Sequence, residues 1–313
     1  MKKLFTLLAL TIAFSMNAQT NTNIGTESLN SNTSGTSNSA FGYQSLKSST
    51  TSLNSAFGAE SLEFNTTGFW NSAFGYQALQ SNTNAKSNSA FGHKSLTSNT
   101  TGEYNSAFGD LALEDNSTAD WNTAVGYGVL KNNTTGQGNT AIGNRSMETN
   151  TTTSSHTAVG YQALRSNSSG TYNTAVGYQA LSTNNSGKRN AATGTWALRN
   201  NTSGFDNTAV GYNASHLNTT ASYNTASGSS SLYSNLTGAK NTAFGYKSLF
   251  VNTTGANNTA IGYNANASAA SATNQTVIGY EATGQYNNSV VLGNDDVTAV
   301  YMGEDSGAKV YAG

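Results

Sequence analysis

Along most of the chain, polar and apolar residues alternate over six positions and then give way to a turn. Asn122-Thr123-Ala124-Val125-Gly126-Tyr127 is one such stretch. The alternation predicts a short strand, with Thr, Val and Tyr on one side and Asn, Ala and Gly on the other. A Leu four residues past the Gly, Leu130 in this copy, marks a second short inward segment. Asn133-Thr134-Thr135-Gly136 then reads as a corner. Asn and Thr side chains bond nearby backbone, and Gly accepts positive φ.

The unit repeats. Its Gly recurs at 25, 42, 58, 75, 92, 109, 126, 143, 160, 177, 194, 211, 228, 245, 262 and 279, sixteen copies in which fourteen of fifteen spacings are 17 and one, Gly42 to Gly58, is 16. The residue before the Gly is Val, Ile or Phe in fourteen copies, and the third before it is Ser or Thr in fifteen. Two short strands and two corners make one rung of a β-solenoid. Helical repeats need about 33 to 47 residues, and no six-residue sub-period supports a hexapeptide helix. A hairpin meander would use Asn-Gly or Asp-Gly turns, yet 43 Asn and 32 Gly never meet as Asn-Gly. The expected fold is all-β: a parallel β-solenoid or β-roll of about sixteen 17-residue rungs over residues 19–284.

On this pattern each rung buries one Val, Ile or Phe and one Leu. Two large apolar groups make a thin core, so rung-to-rung backbone bonds and stacked Asn ladders must carry much of the stability. A thin core is also what chains sharing their inner faces would show, which predicts a homotrimer.

The two ends differ from the middle. Met1-Lys2-Lys3, an apolar run from Leu4 to Met16 and then Ala18 read as a secretory signal over 1–18, too short to span a bilayer. The expected product is secreted, extracellular or at the cell surface of a Gram-negative bacterium, without membrane insertion. After Gly279 the spacing to Gly293 falls to 14. Residues 285–313 read as a C-terminal β segment or cap, with Val297–Gly303 and Ala308–Gly313 as its strands.

Composition narrows the function. Charged residues are 9% of the 313, Pro and Cys are both 0, and Asn, Ser and Thr number 43, 41 and 44. An aromatic share of 10% without Pro argues against disorder. No Cys means no disulfide and no thiolate metal site. A formal net charge of -1 with 14 Lys and Arg offers nucleic acid no phosphate-binding surface.

No catalytic set emerges, and no catalytic, cofactor-binding or metal-binding residues are assigned. His93, His156 and His216 lie in different rungs and read as solvated surface residues. Asp110, Glu114, Asp115 and Asp120 read as a solvated acidic patch rather than a facing carboxylate pair. Asp295 and Asp296 with Glu304 and Asp305 are the one place in the tail for a cation. No Gly-rich phosphate loop or calcium nonapeptide occurs. The expectation is a protein without cofactor or enzymatic activity. Asn-X-Ser/Thr triplets read as turn and ladder residues.

Contact residues are the better candidates. Tyr43, Tyr76, Tyr127, Tyr161, Tyr178, Tyr212, Tyr246, Tyr263 and Tyr280 follow the repeat Gly. Facing out they would form a ladder for glycan or protein surfaces; facing in they would be packing. Trp70, Tyr104, Trp121, Tyr172, Phe205 and Tyr223, with Phe69, fall in the variable corner before the motif Asn and are the expected surface contacts.

Copies such as Asn173-Thr174-Ala175-Val176-Gly177 and Asn258-Thr259-Ala260-Ile261-Gly262, and above all Asn288 to Gly293, resemble the N-S-V-A-I-G repeats of YadA-like trimeric autotransporter adhesin heads. The likeness covers roughly residues 21 to 293 and implies a trimeric, left-handed β-roll that binds host matrix or other surfaces. The period here is longer than the usual fourteen or so, and no stalk or outer-membrane barrel is recognisable. Val290–Gly293 through Val310–Gly313 also looks like the segment of phage-type tail fibres that precedes an endosialidase-type intramolecular chaperone, itself absent from the sequence. Both resemblances imply an extracellular fibre. The leading expectation is an adhesin-head-like fibre whose partner is a surface glycan or protein. The alternatives are an ice-binding solenoid using the Ser/Thr column, favoured by an outward ladder, and the shaft of a tail fibre or tail spike.

Overall fold

A computed structural model describes residues 21–299. The segment read as a secretory signal, over 1–18, and the tail from Val300 onward, with Glu304 and Asp305, lie outside the described residues. Two compact units divide between Tyr172 and Asn173. Each is a parallel β-solenoid, and the described residues contain no helix. In the first unit nine three-residue strands end just before successive repeat glycines: β1 Thr22–Ile24, β2 Ser39–Phe41, β3 Ser55–Phe57, β4 Ser72–Phe74, β5 Ser89–Phe91, β6 Ser106–Phe108, β7 Thr123–Val125, β8 Thr140–Ile142 and β9 Thr157–Val159. Each pairs in parallel with the next, one rung on, as in Ser72↔Ser89, Ala73↔Ala90 and Phe74↔Phe91. The second unit holds eight: β10 Thr174–Val176, β11 Ala191–Thr193, β12 Thr208–Val210, β13 Thr225–Ser227, β14 Thr242–Phe244, β15 Thr259–Ile261, β16 Gln275–Ile278 and β17 Ser289–Leu292. Because β17 pairs in parallel with β16, the run Asn288–Gly293 adds a further rung despite its shorter spacing. Val297–Ala299 carry no strand.

The alternation holds, but its inward side is the polar one. In Ser72-Ala73-Phe74 only Ala73 is buried. The core consists of the Ala column, the Leu column from Leu46 to Leu113 and beyond, and two columns of fully enclosed Asn. The Val, Ile or Phe before the Gly, expected to fill the core beside Leu, is outside instead: Val125 is 37% and Phe244 60% exposed. Parity gives the reason. Asn71 and Ala73 are two residues apart and so share a face. The Asn amide finds its backbone partners only inside the rung, and Ala follows it in while Phe74 is turned out.

The Asn ladders anticipated from composition are present. The first runs through the Asn at the start of each motif. Asn88 N–H donates to Asn71 Oδ1 at 3.0 Å, and Asn88 Nδ2 donates to the Gly102 carbonyl at 2.8 Å. The second lies at the corner: Asn82 Nδ2 donates both to Asn65 Oδ1 at 2.7 Å and to the Ala85 carbonyl at 3.1 Å. Buried amides satisfied in this way contribute about 1 kcal/mol per bond and would cost more if left unpaired.

Between strand and corner the backbone repeatedly enters the left-handed region. Leu79 has φ 51° and Leu96 φ 52°. Such a residue costs about 1–2 kcal/mol. The turn compensates by sending the Leu side chain inward and its N–H to the next rung, as in Leu79 N–H to the Ser95 carbonyl at 3.0 Å. The motif Gly is required outright. Gly211 has φ 131°, and a Cβ there would sit 2.6 Å from the Gly228 carbonyl oxygen.

The 16-residue rung loses its residue at a corner. Ser39 still pairs with Ser55, and Thr50 N–H still reaches the Thr66 carbonyl at 3.1 Å. The deletion therefore falls between Thr50 and Asn54. Ser49 replaces the corner Asn there, and Asn32 Nδ2, one rung earlier, is left without a partner.

Candidate functional site

Three outward columns follow from the strand alternation: Ser or Thr, then Val, Ile or Phe, then the residue after the Gly. In the first unit the rings of Phe41, Phe57, Phe74, Phe91 and Phe108 form one continuous stack, with centroids 4.6, 4.7, 4.6 and 4.9 Å apart. Val125, Ile142 and Val159 continue the stripe in the same unit. In the second unit it is Val176, Val210, Phe244, Ile261 and Ile278, interrupted by Thr193 and Ser227. The Tyr column also faces out, with Tyr246, Tyr263 and Tyr280 stacked at 5.1 and 5.3 Å. The Ser/Thr column lies beside the apolar stripe and is half-exposed or exposed in every described strand.

The corner aromatics are where the sequence placed them. Trp70, Tyr104, Trp121, Tyr172 and Tyr223 are 45–63% exposed. Phe205 is half-buried, because Tyr223 packs edge-on against it at 5.0 Å. Two groups form. Phe69 and Trp70 meet edge-to-face at 4.8 Å, and Lys86 Nζ lies 5.8 Å from both the Phe69 and Tyr104 ring centres. Phe205 and Tyr223 adjoin the paired Arg189 and Asp206, whose fork-like bonds measure 2.7 and 2.8 Å. That pairing holds the Asp206 carboxyl below the usual carboxylate range. Among the described residues, neither group includes Trp121 or Tyr172. Trp70, Tyr104, Trp121, Tyr172 and Tyr223 all sit at positive φ, from 58° to 62°.

Two of the three histidines correct the sequence reading. His93 is exposed and pairs with Asp110 at 2.8 Å. His156 and His216 are buried. His156 takes an Asn place in the inner ladder, so its ring enters the core and meets Thr153 Oγ1 at 3.1 Å. His216 is covered by flanking rings. The acidic patch is dispersed: Asp110 goes to His93, Glu114 to Lys131 at 3.3 Å, and Asp120 Oδ1 accepts the Glu103 N–H at 2.7 Å. Burial and neighbouring Glu114 raise the Asp115 carboxyl. No three His, Asp or Glu among the described residues converge as metal ligands. No helix among them is long and apolar enough to cross a membrane.

One surface in the second unit was not singled out from the sequence. It is built from residues two and five after the repeat Gly. His216 stacks on Tyr233 at 5.4 Å and Tyr233 on Phe250 at 5.2 Å. Trp196 lies 5.7 Å from Tyr212 and 6.2 Å from His216. Lys247 Nζ sits 5.3 Å from the Tyr246 ring centre and 5.4 Å from that of Phe250. The signal was present: 216, 233 and 250 are spaced by 17, an aromatic column outside the motif. Burial pushes the His216 imidazole below its ordinary pKa; Arg199 adds to this, and a bond to the Trp196 carbonyl opposes it. No protein-family model matches the chain, and no curated protein matches it.

Proposed function

We propose that the chain is a non-enzymatic extracellular fibre whose copies associate, as a homotrimer, through the outward strand face, leaving the corners free to touch a surface. The observation that carries this reading is the unbroken Phe41–Phe108 ring stack lying outside the solenoid. Contiguous apolar surface on an exported chain marks an interaction site. A ridge repeated at rung spacing suits an identical ridge on a second copy. Export itself rests on the signal-like segment at 1–18. The solution mass by light scattering tests the reading. A mass near three times the monomer, reduced to one by Phe74→Lys with Phe91→Lys, supports it; a wild-type monomer refutes it.

A second reading, ice binding, is favoured by the outward Ser/Thr column. The adjoining Phe rings and the Ser residues of β2 to β6 make that face less uniform than a Thr ladder. An ice-recrystallisation assay on a monomeric preparation decides it: inhibition lost in Thr123→Leu with Thr140→Leu would favour ice.

A further inference from the structure

Just beneath the surface around Trp196 lie two buried polar atoms that the fold leaves unpaired. Among the described residues, four buried side-chain nitrogen or oxygen atoms lack a hydrogen-bond partner. Asn32 Nδ2 lies next to the shortened rung, and Asn266 lies where Leu and the corner Asn have dropped out of the repeat. The other two, Arg199 Nε and Asn213 Oδ1, sit in adjacent rungs of one strip. One is a donor and the other an acceptor. Buried unpaired groups are rare and call for an explanation.

Their surroundings narrow it. Trp196, Tyr233 and Phe250 are half-buried, so ring area remains open. The positions two after the Gly are Trp196, Asn213, Ser230 and Lys247; those five after it are Arg199, His216, Tyr233 and Phe250. The strip has two permanent cations and no carboxylate. Flat rings beside a few convergent donors and acceptors are the chemistry of sugar recognition: a pyranose lays its C–H face on a ring, and its hydroxyls both donate and accept. Arg and Lys without acidic neighbours favour an anion, and the guanidinium fork matches a carboxylate or sulfate.

We propose that this strip, from Trp196 and Arg199 to Lys247 and Phe250, binds an anionic glycan. Trp196 and Tyr233 stack on sugar rings, the charges of Arg199 and Lys247 meet carboxylate or sulfate groups, and Arg199 Nε and Asn213 Oδ1, enclosed in the free chain, reach hydroxyls by a turn of their side chains on binding. The inference rests on the reading of the chain as a surface-binding extracellular fibre and names the ligand class of that fibre. The strip shares no residue with the Phe41–Phe108 stack on which association rests, so the two are tested by different substitutions.

The test is affinity electrophoresis of the full chain in gels holding polygalacturonate, dextran sulfate or plain dextran. Retardation by a polyanion but not by dextran is expected, and the two polyanions distinguish carboxylate from sulfate. Trp196→Ala and Arg199→Gln should each weaken binding at least tenfold, while Lys131→Gln, which removes a cation outside the strip, leaves it unchanged. Lys247→Gln, on a half-exposed side chain, should weaken it several-fold and serves if a Trp196 variant fails to fold. The proposal is overturned by retardation in neither polyanion, by equal retardation in dextran, or by retardation that Arg199→Gln and Lys247→Gln leave intact. A chain that trimerises yet binds no polyanion sinks the glycan site and leaves the fibre reading. A monomer with variant-sensitive retardation does the reverse.

Discussion

Asn88 receives the next rung as it is held by the last: its N–H donates to Asn71 Oδ1, and its own Oδ1 accepts the Asn105 N–H at 2.9 Å. Asn88→Ala therefore strands the Asn105 N–H. It also takes one of two amide donors from the Gly102 carbonyl, which Asn99 Nδ2 reaches at 2.9 Å. A buried unpaired group costs about 1–3 kcal/mol and a lost bond about 1 kcal/mol, so a loss of about 2–4 kcal/mol is expected. Ser55→Ala, on the outer face of its strand, should stay within about 0.5 kcal/mol. Urea unfolding compares them. Amide exchange should show the Asn88 loss concentrated in the rungs around 71 to 105, since a repeat array responds locally.

Two glycines should respond unequally to a methyl group. Gly211→Ala meets both a disallowed φ and the Gly228 carbonyl. A residue held in that region costs about 1–3 kcal/mol, and the clash adds to it. Gly138 has φ 64°, and a Cβ added there would meet nothing within 4 Å, so Gly138→Ala should cost about 1 kcal/mol. Thermal unfolding of the two variants gives the order.

Phe74→Ser removes a ring stacked on both sides, at 4.7 and 4.6 Å. Two aromatic contacts of about 0.5–1.5 kcal/mol each set the loss for a single chain at about 1–3 kcal/mol. Self-association through this face should fall far more than that. Sedimentation velocity over a concentration series, beside circular dichroism of the same sample, separates the two effects.

His216 predicts a pH dependence of definite sign. Its folded pKa lies below the ordinary imidazole value of about 6.5, because burial and Arg199 oppose the cation. Between the folded and unfolded values the unfolded chain binds more protons, so stability is full above about 6.5 and falls on acidification through that window. Arg199 is the charged group facing it, and Tyr233 the titratable one. His216→Phe should flatten this part of the stability profile, measured by thermal unfolding from about pH 5 to 8.

The rung was legible because seventeen-residue spacing repeats in every column, and alternation paired the right residues on each face. Which face was inner was not legible from hydrophobicity. Phe74 outweighs Asn71 and Ala73 on any transfer scale, but the amide of Asn71 needs backbone partners that only the interior offers, and it takes Ala73 with it. The exposed corner aromatics Trp70 and Trp121 could be read from their place outside the motif. His216 taken alone looks like a surface histidine; only its seventeen-residue spacing to Tyr233 and Phe250 marks its column, and its cover by Trp196 is seen only in the structure. The Arg199 and Asn213 orphans depend on three-dimensional packing and leave no trace in spacing.

The ring stack ends between Phe108 and Val125, where the outward column changes from aromatic to branched aliphatic. Equal rungs would let two copies mate at any whole-rung offset with similar energy, like combs of the same pitch. A change in tooth height partway along removes that freedom. Sliding by one rung sets Phe108 opposite Val125 and opens a gap the width of the difference between the two side chains. In the association proposed above, that boundary would serve as a fiducial mark by which an otherwise monotonous surface finds one alignment.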